Sequence, residues 1–167
     1  KHMLSPLTKE RYNSSKSANA FDYAISGHTQ SLGMHLDRNA SLLNAEDPSG
    51  RTLLYIAARS GFYDTCEYLL KRGAMQKGCG RDRSTPLHAA SFYGHPLVCS
   101  LLVQYGADLA ASNVWGNTPV DEACDGSTRR KLEQCGLDAL AVVIRDTRSL
   151  LDSSLPLPEI VTDSHGN

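Results

Sequence analysis

No run in this chain of 167 residues approaches the 18 or more consecutive apolar residues that a membrane span requires. A dominant charge is missing too. Seventeen Lys and Arg stand against eighteen Asp and Glu, a net charge of −1. That balance excludes a dedicated binder of nucleic acid or another polyanion. No secretory signal pattern stands at the start. His2-Met3 resembles the remnant of a cloning site, which leaves open that the chain is a fragment of something longer. The five cysteines, Cys66, Cys79, Cys99, Cys124 and Cys135, are odd in number. No two of them have the two-to-four-residue spacing that zinc sites favour. They are expected to be free, buried thiols in a reducing compartment, which points to the cytosol or nucleus.

Catalytic patterns are equally scarce. No G-x-S-x-G nucleophile elbow occurs. Gly73 to Gly80 has glycines at the P-loop interval, but Cys79-Gly80 stands where Lys-Ser or Lys-Thr is required. His88, His95 and Cys99 form H-x6-H-x3-C, which the repeat pattern below explains without a metal. Asp121-Glu122 is an adjacent carboxylate pair, but neighbours on a helix point in different directions. Glu122 is expected to face solvent or to favour a helix N-terminus. No enzyme, no metal and no cofactor are expected.

What is present is a period. Thr52, Thr85 and Thr118 stand 33 residues apart, and each opens a similar phrase. The middle phrase is Thr85-Pro86-Leu87-His88-Ala89-Ala90; the others are Thr52-Leu53-Leu54-Tyr55-Ile56-Ala57 and Thr118-Pro119-Val120-Asp121-Glu122-Ala123. Gly61 and Gly94 follow their threonines by nine residues, and Gly73-Ala74 and Gly106-Ala107 recur in the same phase. Pro86 suits the first turn of a helix, where its missing N–H costs nothing. Gly94 ends that helix. Pro96 opens a second one, with Leu97, Val98, Leu101 and Leu102 on one apolar face and Gly106 closing it. Cys66, Leu69 and Leu70 repeat the logic one unit earlier. Such short helix pairs cannot bury their faces alone and need neighbours on both sides.

The phrase T-P-L-H-x-A at this spacing resembles the ankyrin-repeat signature across roughly Asp47 to Gly136. The resemblance implies an all-α solenoid of helix-turn-helix units joined by short β-hairpin-like loops. Four units are expected over residues 12–136: two full and two atypical ends. The first, with Phe21 to His28, is degenerate, and the last is shortened, its second helix starting near Ser127. A C-terminal capping helix is expected over 137–152, with Leu137, Leu140, Ala141, Ile144 and Leu151 at 3/4 spacing. Residues 1–11 are expected to be disordered or tag-derived, and 153–167 a flexible tail. Within that tail, Leu155 to Ile160 alternates Leu and Pro and invites a docking hypothesis. Arg83 stands where Gly50 and Gly116 stand in the flanking units, so its turn either changes geometry or strains a non-glycine residue.

The resemblance further implies non-catalytic binding of a protein or peptide on the concave surface, by a monomer. It implies that His88 bonds backbone between repeats. Matched positions give Arg51 and Arg59 in the first full unit, Arg81, Asp82, Ser84, Phe92 and Tyr93 in the second, and Trp115, Asn117 and Asp125 in the last. Aromatic and arginine side chains dominate interface hot spots. The basic run Lys71, Arg72, Lys77, Arg81 and Arg83 suggests a partner with acidic residues flanking an apolar anchor. No nucleic acid and no membrane is expected as partner. Two other readings are a regulatory or substrate-recruiting domain of a larger ubiquitin ligase, kinase or transferase, and a stand-alone inhibitor of a protein kinase.

Overall fold

The computed structural model describes residues 18–154, with side chains over 20–146. The expected disorder of 1–11 and the Leu155–Ile160 motif lie outside the described residues. Seven α-helices are present among the described residues: α1 (Ala18–Ser26), α2 (Thr29–Arg38), α3 (Leu53–Ser60), α4 (Tyr63–Lys71), α5 (Pro86–Phe92), α6 (Pro96–Gln104) and α7 (Gly126–Ser154). A short 3-10 helix, Ala40–Asn44, follows α2.

The helices form two layers. In one, α3 packs against α1 on one side and α5 on the other; in the second, α4 packs against α2 and α6. Small residues make the first layer possible: Ala57, Ala58, Ala89 and Ala90 are buried at the contacts. Leu53, Leu54, Leu69, Leu87, Leu101 and Leu102 fill the space between layers. Leu97 departs from expectation. It is 68% exposed, because Val98, Cys99, Leu101 and Leu102 are the residues that turn inward from α6.

The three units from Thr52 onward begin with the same threonine cap. Thr52 Oγ1 accepts from the Tyr55 amide at 3.2 Å, Thr85 Oγ1 from His88 at 3.3 Å, and Thr118 Oγ1 from Asp121 at 3.4 Å. The residue three along varies, and in the last two it reaches back. His88 Nδ1 accepts from the Thr85 amide, and Asp121 Oδ2 from the Thr118 amide. Each such box satisfies amides that the first helical turn leaves unpaired.

Left-handed glycines close the first helices: Gly27, Gly61 and Gly94 have φ of 72°, 77° and 74°. Each lies under a side chain of the following unit. A β-carbon on Gly61 would come within 2.6 Å of the His95 ring; on Gly94, within 2.8 Å of Cys124 Sγ.

The last unit is shorter than its sequence suggests. Between Pro119 and Glu122 there is one hydrogen-bonded turn in place of a first helix, with the Glu122 amide on Thr118 O at 3.2 Å. Asp125 already caps α7, so too few residues separate the two caps to propagate a helix. A second difference concerns Gly136. The helices expected from Ser127 and over 137–152 are one, α7, which runs through it. The described residues up to Cys135 form one compact unit, in which Thr128 and Leu132 are buried. The described residues from Gly136 onward form another, in which Leu137, Leu140 and Ile144 are each more than half exposed. The cysteines also divide. Cys66, Cys79 and Cys99 are buried, and burial pushes the Cys66 and Cys99 thiols up to about 12. Cys124, against expectation, is exposed.

The loops between units are narrow fingers. Glu46 bridges Thr52 and Cys79 bridges Ser84, both antiparallel. Asp47 Oδ1 accepts from the amides of Ser49 and Arg51 at 2.8 and 2.9 Å, and Asn113 Oδ1 from those of Trp115 and Asn117, both at 3.1 Å. The middle finger breaks this rule twice. Gly80 holds the place of Asp47 and Asn113, and Arg83 holds the place of the glycines. Arg83 has φ of 55°, the one positive value among described non-glycine residues.

Two stability predictions follow from these backbones. Gly61→Ala should cost more than about 2 kcal/mol in urea unfolding, the sum of left-handed strain and the His95 overlap. Gly73→Ala, with φ of 84° and open space around it, should cost only about 1 kcal/mol; equal losses would refute the packing part. Arg83→Gly should stabilise by about 0.5 kcal/mol, relief of strain less the entropy added to the unfolded chain. A loss of stability would show that the Arg83 side chain holds the fold.

Candidate functional site

The concave face is built from the fingers and the exposed side of the first helices. At the end of α5, Phe92 and Tyr93 meet edge to face, ring centroids 5.2 Å apart at 70°. Arg59, at the end of α3, lays its guanidinium 4.9 Å from the Tyr93 centroid. Arg59 is itself placed by the fold: its carbonyl accepts from His95 Nε2 at 3.0 Å. In the first finger, Arg51 donates to Asp47 Oδ2 from Nε at 2.9 Å and Nη2 at 2.7 Å. Burial alone would raise the Asp47 carboxyl, but hydrogen bonds from the Arg51 side chain and from the Arg51 and Ser49 amides outweigh it and hold it below its ordinary value. The fingers are stitched to one another. The Gly80 amide donates to Gly50 O at 2.7 Å, and the Val114 amide to Asp82 O at 3.0 Å.

These parts enclose a cleft of about 610 Å³ running across three fingers. Of the sequence-predicted residues it gathers Arg51, Arg59, Arg81, Asp82, Tyr93 and Trp115. Trp115 is 67% exposed. A smaller recess of about 210 Å³ adjoins it, bringing in Phe92, Ser84 and His88. His88 lies at its floor with both ring nitrogens committed. Nδ1 accepts from the Thr85 amide at 3.2 Å, so Nε2 carries the proton and donates to Asn117 O at 2.9 Å. The expected bond between units is therefore present.

Three predicted contacts serve the fold. Ser84 is 4% exposed and pairs with Cys79 through its backbone, so it shapes the wall and offers little surface. Asn117 is exposed but lies outside both recesses, its backbone held between Asn113 and His88. Asp125 is spent on α7: Oδ1 accepts from the Ser127 and Thr128 amides at 2.7 and 2.8 Å. Those bonds, with help from the Cys124 thiol and Thr128 hydroxyl, draw its carboxyl down to about 2.

Two residues were missed. Tyr55 lines both recesses, and burial, with Asp82 nearby, pushes its phenol up to about 12. Glu122 is half-buried in the smaller recess, not solvated as expected; its Oε1 accepts from Asn113 Nδ2. The period carried both signals, since Tyr55 lies 33 residues before His88 and Glu122 lies 33 after Ala89.

Comparison with known proteins places the chain. Residues 22–113 match the family model for ankyrin repeats, three copies. "Ankyrin repeat and SOCS box protein 11" of Danio rerio is 35% identical over 71% of this chain and 40% of its own length. "Potassium channel KOR2" of Oryza sativa subsp. japonica is 40% identical over 53% of this chain and 12% of its own length. "ARF GTPase-activating protein GIT2" of Rattus norvegicus is 38% identical over 58% and 13%. The chain thus spans well under half of each of these relatives.

The Asp125 cap predicts a pH dependence. Its folded carboxyl lies below the ordinary value of about 3.9, so its stabilising effect is full above about pH 4 and is lost as pH falls toward 2. Asp125→Asn can still cap but gains no proton. Its urea midpoint should fall less between pH 4 and 2 than that of the wild type, and an equal fall would remove this assignment.

Proposed function

Because the chain belongs to the ankyrin-repeat family, we propose that its concave cleft is the surface on which it holds a protein or peptide partner. Ankyrin repeats are protein-interaction modules, and the observation that supports this face as the binding surface is the group Phe92, Tyr93 and Trp115. They are 44–67% exposed around the cleft, although burying such rings would favour the fold. Arg59 held over Tyr93 and Arg81 beside them complete a set enriched at binding hot spots. The fingers are already stitched, so the partner meets a preformed surface and little ordering cost attaches to binding. A partner with acidic residues beside an apolar anchor suits the arginines and the rings.

A second reading is a recruiting module within a longer enzyme. It is favoured by the length of the relatives, one of which is named as a GTPase-activating protein. In that case the cleft would still bind, but for the benefit of a domain elsewhere.

The triple substitution Phe92/Tyr93/Trp115→Ala tests the cleft. Affinity should fall at least 30-fold, from about 2 kcal/mol at one hot-spot residue or more. Proteins captured by the wild type should be lost from the variant while its circular dichroism is unchanged. Capture of the same proteins with the same affinity would move the interaction to another face.

A further inference from the structure

The two recesses of the concave face carry opposite charge. The larger is lined by the guanidiniums of Arg51, Arg59 and Arg81 and by a single carboxylate, Asp82. Arg51 is engaged by Asp47 and Arg59 lies over Tyr93. Arg81 is exposed and forms no ion pair among the described residues. The smaller recess holds the carboxylates of Asp82 and Glu122 and no lysine or arginine. Its walls are the rings of Tyr55, Phe92, Tyr93 and Trp115. Its one imidazole, His88, has both nitrogens occupied. Glu122 uses Oε1 on Asn113, and its second oxygen takes no hydrogen bond from a described residue. Aromatic faces beside carboxylates attract a cation, and a free guanidinium attracts a carboxylate.

The recesses share Tyr55, Asp82, Tyr93 and Trp115 as a common wall, so a single ligand can enter both. We propose that the cleft binds a peptide carrying an acidic and a basic side chain, one for each recess. The carboxylate meets Arg81 and Arg59; the cation enters the aromatic recess beside Glu122 and Asp82. The assignment rests on the concave-cleft reading and goes past it: an acidic peptide with only an apolar anchor would leave the Glu122 carboxylate among the rings with no cation beside it.

The test is selection of a phage-displayed random 12-residue library on the whole chain, followed by synthetic peptides in fluorescence anisotropy. Selected peptides should carry both an acidic and a basic side chain. Arg81→Gln should weaken such a peptide about tenfold, and this loss should vanish for a peptide whose acid is replaced by alanine. Glu122→Gln, which keeps an acceptor for Asn113, should weaken it about tenfold, and only while the peptide's Lys or Arg is present. Peptides that bind in the cleft yet carry one sign of charge, or respond additively to these pairs of changes, would overturn the inference and leave the cleft reading standing. Peptides that bind the Phe92/Tyr93/Trp115→Ala variant as tightly as the wild type, or a library that yields no binder, would count against the cleft itself.

Discussion

His95 reaches across the boundary between two helix pairs and donates its Nε2 proton to the carbonyl of Arg59. That carbonyl sits near the end of α3, where helical carbonyls run out of partners. Without the neighbour it would be left to water, and the helix is only eight residues long. The same dependence recurs one unit on, where His88 donates to Asn117 O and Ser91 Oγ to Pro119 O. Each unit therefore completes the polar bookkeeping of another. The left-handed glycines belong to the same constraint, since Gly61 is what lets the His95 ring come close enough to donate.

That constraint explains what the sequence could tell. The framework was legible because it is periodic: Thr52 and Thr85, Gly61 and Gly94, and the apolar faces of α4 and α6 each follow from spacing and elementary capping rules. The strain at Arg83 was legible as a glycine missing from a phased position. The shortened turn at Pro119 to Glu122 was not. Its sequence opens like the other units, and it fails as a helix only because Asp125 starts α7 so soon. The continuity of α7 through Gly136 was hidden for the opposite reason. A glycine after a helical pattern suggests an end, but nothing in the following residues supplies the cap that would enforce it.

The candidate site was half legible. Phased positions found the arginines and exposed rings of the larger recess. Spacing alone could not tell an open side chain from one spent on a cap or buried in a finger, so Asp125 and Ser84 were drawn in. Nor could it show that Glu122, expected to face solvent or to favour a helix N-terminus, sits among rings. What separates these cases is hydrogen-bond occupancy. Asp125 and His88 have their polar atoms committed, whereas Arg81 and one oxygen of Glu122 do not.

Neither recess draws a residue from α1, α2 or the 3-10 helix that follows them. Those elements shield the inner flank of α3 and α4 and do nothing else for the concave face. Their sequence is thus answerable to packing alone. Related chains could diverge there, or exchange that unit for another, without touching either recess, whereas a single change at Trp115 or Glu122 would alter the recess walls directly.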